Sequence, residues 1–114
     1  MLSVAMNAGD LDAFMALYEE EAALIAPPDG RRASGRDAIR EATAGVFALR
    51  PVADFQVIGK LQHDGLAVTN GRWQIAGTDP DGGRVELAGR GTLVSRRQPD
   101  GRWLIVLDNA MTPS

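Results

Sequence analysis

Three turn segments in the second half of the chain constrain its fold more than any other feature of the sequence. They are short runs rich in Gly, Pro and Asp: Asp64-Gly65, Asp79-Pro80-Asp81-Gly82-Gly83 and Gln98-Pro99-Asp100-Gly101. Asp-Gly adopts the positive φ angles of a two-residue hairpin at little cost, and the longer runs are typical hairpin loops. The stretches around them are therefore predicted to be long antiparallel strands at 52–63, 66–77, 84–97 and 102–110. In the first of these strands, alternation places Phe55, Val57 and Leu61 on one face.

The first half of the chain predicts helices and two short strands. Apolar residues recur at the spacing of one helix face at Leu11, Phe14, Met15 and Tyr18. Asp10 precedes this stripe and is a good N-cap residue. Short strands are predicted at 22–26 and 31–34, and a further helix ends before Pro51, which cannot continue it. Helices followed by a long antiparallel meander indicate an α+β fold, and the length suits one domain over residues 1–114.

The composition argues against several classes of function. The chain has no cysteine, which excludes disulfides and thiolate chemistry and fits a cytoplasmic protein. The formal net charge is −3 and the arginines form no basic stripe, so we expect no nucleic-acid partner. No apolar stretch approaches the roughly 20 residues that span a bilayer, and the start lacks a signal-peptide pattern, so we expect no membrane association. His63 is the only histidine, which argues against zinc, and we expect neither a metal nor a cofactor.

The last predicted strand is apolar on both of its faces, because it contains the run Trp103-Leu104-Ile105-Val106-Leu107. One face can pack against the helices. The other face also needs cover, since an exposed apolar sheet face of this size is unusual in a monomer. The sequence therefore predicts a homodimer joined through sheet faces.

Several segments resemble a known superfamily when they are taken together. These segments are Asn7 to Phe14, Leu17-Tyr18, Pro27-Pro28, Ser34 to Arg40 and Arg97 to Trp103. They resemble the nuclear-transport-factor-two-like (ketosteroid-isomerase-like, SnoaL-like) superfamily, above all its uncharacterised bacterial members. The resemblance implies a cystatin-like cone in which two or three N-terminal helices are wrapped by a strongly curved antiparallel β-sheet around an apolar pocket.

The resemblance can be tested against the ketosteroid isomerases of this superfamily. Their chemistry requires a carboxylate base and two donors that stabilise a dienolate, a system that is a worked example of pKa tuning. The base position falls on Ala26 in this chain. The two donor positions fall on Leu2 and near Leu93. None of these side chains can transfer or donate a proton, so we expect no steroid isomerisation by that mechanism.

Three other residues are candidates for a site. In polyketide cyclases of this superfamily an aspartate near Asp108 acts as general acid/base, and Asp108 shares the strand parity of Leu104 and Val106. Trp73 lies in mid-strand and Tyr18 ends the helical stripe, so we expect Tyr18, Trp73 and Asp108 to share one cavity and to bind a ligand there. A carboxylate in an apolar cone has a raised pKa, which suits proton transfer. The alternative is that Asp108 is a partly exposed residue at a strand end that pairs with an arginine or caps a loop. Trp73 would then be an ordinary core residue, and Tyr18 a core residue with its hydroxyl at the rim.

Three functions follow from these observations. The first is a small-molecule-binding domain for an apolar or aromatic ligand, without the isomerase residues. The second is a cofactor-independent enzyme of the SnoaL-like cyclase, isomerase or lyase type that uses Asp108 as acid/base. The third is a homodimeric association module. The sequence leaves the ligand, the reaction and the choice among the three open.

Overall fold

A computed structural model describes residues 2–112 of the chain. Within them lie three short helices, α1 (Leu2–Asn7), α2 (Leu11–Met15) and α3 (Arg36–Phe47). The strands are β1 (Tyr18–Ala26), β2 (Arg31–Ser34), β3 (Val52–His63), β4 (Leu66–Thr78), β5 (Arg84–Arg97) and β6 (Trp103–Thr112). The predicted α+β fold is confirmed. No helix among the described residues is both long enough and apolar enough to cross a bilayer.

The six strands form one curled sheet in the order β2-β1-β6-β5-β4-β3. The sheet is open, since β2 and β3 lie at its two edges, and the helices pack against its concave face. The pairing is antiparallel except between β1 and β6, which run parallel. The predicted antiparallel sheet is confirmed except at this one parallel pair. The reason is topological: the last strand enters between β1 and β5, and its antiparallel pairing with β5 sets its direction.

The largest error in the predicted boundaries concerns Tyr18. We expected it on the face of a helix, but α2 ends at Met15 and Tyr18 is the first residue of β1, which was predicted to begin at residue 22. The N–H of Ile105 donates to the carbonyl of Leu17 at 2.8 Å, and Tyr18 pairs with Ile105 in the sheet. Pairing with β6 therefore overrides the helical spacing, which is a weaker local preference.

Local turn and capping signals agree with the structure. Asp64 and Gly65 have φ angles of 49° and 74°, as the predicted two-residue hairpin requires. The side chain of Asp10 accepts a hydrogen bond from the N–H of Ala13 at 2.9 Å and caps α2. These signals involve only neighbouring residues, which is why the sequence reveals them.

Two β-bulges change which side chains face the helices. In β3, Val57 pairs with Gly71 and Gly59 with Asn70, so Ile58 is an extra residue. In β6, Leu107 pairs with Val94 and Ile105 with Ser95, so Val106 is an extra residue. Alternation restarts after each bulge. The expectation that Leu61 shares a face with Phe55 was therefore wrong, and Leu61 is 72% exposed.

The core lies between the helices and the concave face of the sheet. Phe14 from α2 is at its centre, with its ring centroid 5.2 Å from that of Phe47 and 5.5 Å from that of Tyr18. Ile39, Thr43 and Val46 supply the buried face of α3. The side of this core that faces the long strands is incompletely filled, and it contains the cavity described next.

Candidate functional site

A cavity of about 400 Å³ lies between the helices and the concave face of the sheet. Its helical wall is apolar and includes Leu2, Met6 and Phe14. Its sheet wall is formed by inward-facing residues of the long strands, among them Phe55, Trp73, Ile75, Leu93, Ile105 and Asp108. The size falls in the range of pockets that hold small organic molecules, roughly 300–1,000 Å³.

A buried hydrogen-bonded pair of polar side chains borders the cavity. The hydroxyl of Tyr18 donates to Oδ2 of Asp108 at 2.5 Å. Tyr18 is fully buried and Asp108 is 9% exposed. Tyr18 occupies Oδ2, and within residues 2–112 no protein donor reaches the other carboxylate oxygen, Oδ1. The pair therefore leaves one acceptor available beside the cavity.

Burial controls the ionisation of both groups. Desolvation raises the pKa of Asp108 to about 6, and the hydrogen bond from Tyr18 opposes that rise only in part. Desolvation also raises the pKa of Tyr18 well above its usual value, and the neighbouring Asp108 raises it further. Near neutral pH, Tyr18 is thus a neutral donor, whereas Asp108 can gain or lose a proton. An acid with a pKa near the ambient pH is suited to general acid/base catalysis.

Asp108 faces the cavity for a reason that differs from its strand parity. We expected it on the same face as Leu104 and Val106. Instead Ile105 and Asp108 both border the cavity, because the bulge at Val106 restarts the alternation between them. The alternative of an arginine partner does not describe this side chain, since its hydrogen bond comes from Tyr18.

The start of α3 holds Tyr18 from the other side. The guanidinium of Arg36 donates to the backbone carbonyl of Tyr18 through Nε at 3.0 Å and Nη2 at 2.6 Å. This forked contact fixes the backbone at the first residue of β1, where the helical region gives way to the sheet. Sequence reasoning did not identify Arg36, because the contact exists only once α3 packs beside β1.

Trp73 forms part of the sheet wall of the cavity. Its indole N–H donates to the carbonyl of Ala110 at 2.8 Å, so its polar atom is already satisfied and the ring offers an apolar surface. A Cβ atom at Gly89 would lie 2.8 Å from Cζ2 of Trp73. Gly89 therefore lets the indole lie directly against the backbone of β5. The structure brings Tyr18, Trp73 and Asp108 to one cavity, and their roles in binding and catalysis stay predictions.

Lys60 also borders the cavity, and sequence reasoning missed it. Cross-strand pairing aligns one lateral row on the concave face: Lys60, Thr69, Leu93, Asp108 and Leu24. Lys60 joins this row because the bulge at Ile58 restarts the alternation of β3. It is the only lysine of the chain. The adjacent Gly59 is the only local hint of an irregular strand.

The other expected positions are also placed by the structure. Ala26, at the expected base position, is a buried residue at the end of β1. Leu2 and Leu93 border the cavity with apolar side chains. His63 lies beside the exposed Asp64 turn, and no group of three or more His, Cys, Asp or Glu side chains in residues 2–112 is arranged to hold a metal ion.

Comparison with known proteins supports this architecture. The family model of the SnoaL-like domain matches residues 1–106. A search of curated proteins found no match to the chain. Among solved structures, an NTF-2 like protein of unknown function from Shewanella oneidensis MR-1 is 25% identical with a TM-score of 0.77, and the match covers 97% of this chain and 90% of that one.

Two further solved structures show the same fold at lower identity. A ketosteroid isomerase-like protein from Erwinia carotovora atroseptica SCRI1043 is 20% identical with a TM-score of 0.79, over 96% of this chain and 88% of that one. A conserved protein from Planctomyces limnophilus DSM 3776 is 18% identical with a TM-score of 0.82, over 96% of this chain and 85% of that one.

Proposed function

This chain belongs to the SnoaL-like domain family, and from that premise we propose that it binds a small apolar or aromatic molecule in the cone cavity. The observation that carries the proposal is the cavity itself, about 400 Å³ of mostly apolar space that is bordered by the Tyr18–Asp108 pair. Pockets for small molecules combine an apolar lining with a few placed polar groups. The proposal includes a cytoplasmic location, because a chain without cysteine forms no disulfide bonds and fits a reducing compartment.

The polar pair would orient the ligand rather than supply most of the affinity. The free Oδ1 of Asp108 can accept a hydrogen bond from a ligand hydroxyl when ionised, and a protonated Asp108 can donate one to a ligand carbonyl. The ring of Trp73 would pack against the ligand body, because its N–H is already bonded to Ala110. The expected ligand is therefore an aromatic or alicyclic compound with an oxygen function at the end that meets Asp108.

A neutral fluorescent probe, N-phenyl-1-naphthylamine, tests whether the cavity binds. Gly91 borders the cavity, and a Cβ there would make only ordinary contacts, 3.5 Å to Cδ1 of Trp73 and 3.6 Å to the carbonyl oxygen of Asn109. A Gly91→Leu substitution would thus fill the space without displacing backbone, and we expect it to weaken binding by about tenfold, the effect of losing roughly 1.4 kcal/mol.

Gly45→Leu is the matched control for this experiment, because Gly45 lies on the exposed face of α3 and a Cβ atom added there would meet no neighbouring side chain within 4 Å. It should bind the probe as the unsubstituted chain does, and urea unfolding verifies that both variants are folded. Failure of the unsubstituted chain to bind the probe, or equal binding by Gly91→Leu, would contradict the proposal.

A second candidate function is acid/base catalysis by Asp108, favoured by its pKa of about 6 beside an apolar cavity. The isomerase positions hold Ala26, Leu2 and Leu93, so a β,γ-unsaturated steroid ketone should not be converted. Proton transfer can be tested separately with 2-tetralone in D₂O, by following exchange of its acidic C–H protons by NMR. A catalytic Asp108 predicts exchange above the buffer rate that rises through pH 6 and is absent in Asp108→Asn. Equal rates for both proteins would eliminate this role.

The convex face of the sheet supports a third element of the proposal, a homodimer. The pairing register aligns the apolar residues Leu61, Val68, Val94 and Leu107 in one lateral row on that face. Leu61 is 72% and Leu107 49% exposed. The row carries no charge, so a second copy related by a two-fold axis could pack against it without burying an unpaired ion.

Light scattering tests the dimer at tens of micromolar, a concentration that detects even weak association. We expect a dimer that Leu107→Lys converts to a monomer. Val4→Lys is the control, because Val4 is 66% exposed but lies on α1, away from the row. A monomeric unsubstituted chain, or a Leu107→Lys variant that stays dimeric, would overturn the assignment.

A further inference from the structure

The cavity has charged groups of opposite sign on one lateral row of the sheet, three strands apart. Asp108 lies on β6 and Lys60 on β3, with Leu93 and Thr69 between them on the intervening strands. Three strand spacings separate the two backbones, about 14 Å along the sheet. Asp108 is buried, whereas Lys60 is exposed and reaches the cavity from its rim.

Lys60 makes no ion pair within residues 2–112, whereas five arginines of this part of the chain do so. A second cation, Arg72, also borders the cavity. Arg72 pairs with Gln56 and Arg90, and it alternates with the inward-facing Gly71 and Trp73. Its side chain therefore belongs to the convex face. Lys60 is the cation that the concave face presents to a ligand.

We propose that the ligand is an organic anion, an aromatic or alicyclic carboxylate that lies along this row with its carboxylate at Lys60 and its body against Trp73. The inference rests on the proposed binding function and adds the charge and orientation of the ligand. The orientation follows from electrostatics. A carboxylate at the buried end would face the carboxylate of Asp108, and the repulsion there is large because the surroundings are apolar.

A carboxylate at the rim meets the opposite situation. It remains partly hydrated, so it loses less solvation than it would inside, and the ammonium of Lys60 can approach it on a flexible stem. The gain from such a partly exposed pair is modest, and we expect about a fivefold preference for an anion over a neutral ligand of the same shape.

The test compares 2-naphthoate with 2-naphthamide, two probes of nearly equal size that differ in charge. Each is used to displace N-phenyl-1-naphthylamine from the cavity. We expect 2-naphthoate to compete about fivefold better than 2-naphthamide at low salt, and the preference should shrink as salt screens the pair. Lys60→Gln should remove the preference by weakening 2-naphthoate alone.

Arg32→Gln is the matched control, since it removes one positive charge from an exposed position on β2 that does not border the cavity. It should leave both probes unchanged. If N-phenyl-1-naphthylamine itself does not bind, the proposed binding function fails. If it binds and the two naphthalene probes compete equally, or if the preference survives in Lys60→Gln, binding stands and the inference about Lys60 is overturned.

Discussion

Strands β4 and β6 show two ways in which this sheet presents side chains to the cavity. Strand β4 pairs with β5 from Leu66 to Thr78 without a shift in register, so strict alternation places Trp73 and Ile75 on the concave face. In β6, Ile105 and Asp108 reach the same face although they are three residues apart, because Val106 forms a bulge. The regular strand supplies apolar wall, and the bulged strand supplies the titratable group.

Strand β3 follows the pattern of β6. Its bulge at Ile58 turns Lys60 toward the cavity and Leu61 toward the convex face. The two charged groups that face the cavity, Asp108 and Lys60, thus both follow a bulge. Bulges often lie next to functional sites, where they redirect a side chain without changing the rest of the ladder.

The largest expected effect is the difference in stability between two variants, one with a residue deleted at a bulge and one with a residue deleted from a regular strand. Removing Ile58 leaves every other pair between β3 and β4 in register, so we expect a folded protein that has lost no more than about 2 kcal/mol of unfolding free energy. Removing Asn70 from β4 shifts one end of that strand against both neighbours and reverses its faces, which should cost at least about 4 kcal/mol. Urea unfolding measures both. Equal losses would show that the bulge is as essential as the regular ladder.

The next effect is a pH dependence specific to β6. Burial raises the pKa of Asp108 to about 6 from 3.8, so the folded state binds its proton more tightly than the unfolded state does. The resulting stabilisation is complete below about pH 4 and is lost as the pH rises through 6, a change of about 3 kcal/mol in unfolding free energy. The measurement is the difference between the unsubstituted chain and Asp108→Asn from pH 4 to 8. A difference independent of pH would contradict the burial of Asp108.

Tyr18→Phe should have a smaller effect at the same site. The variant removes the hydroxyl that donates to Asp108, which leaves a buried carboxylate without that partner. We expect a loss of about 2 kcal/mol near pH 8 and a smaller loss near pH 5, where Asp108 is protonated. Adding Asp108→Leu to Tyr18→Phe should recover part of the loss, since the unpaired charge is gone. No recovery in the double variant would mean that the hydroxyl matters for packing alone.

The smallest effect concerns the regular strand. Trp73→Phe removes the indole N–H that donates to the carbonyl of Ala110 and part of the apolar wall. We expect a loss of about 1 kcal/mol from the hydrogen bond, with no dependence on pH between 4 and 8. Chemical unfolding at both ends of this range checks it. A loss that changed with pH would link Trp73 to Asp108 and weaken the contrast between β4 and β6.

Most of the fold can be predicted from local sequence signals. The turn at Asp64-Gly65 and the loops before residues 84 and 103 set the ends of the four long strands, because positive φ angles and proline act on neighbouring residues only. The parity of Trp73 in β4 was also readable, since an unbroken strand alternates strictly. The cavity position of Asp108 was expected as well. The expected reason, a shared strand face with Leu104 and Val106, was wrong, because the bulge at Val106 restarts the alternation.

The details of the site depend on contacts between strands that a local sequence pattern does not reveal. Tyr18 lies in a strand and not in the predicted helix, because the backbone at Leu17 and Tyr18 pairs with β6. Lys60 faces the cavity because Ile58 is an extra residue in β3 that has no partner in β4. Both outcomes depend on partners in another strand, Ile105 for Tyr18 and Thr69 for Lys60. A local sequence pattern does not encode the register of such partners, and a one-residue change in register moves a side chain to the other face of the sheet.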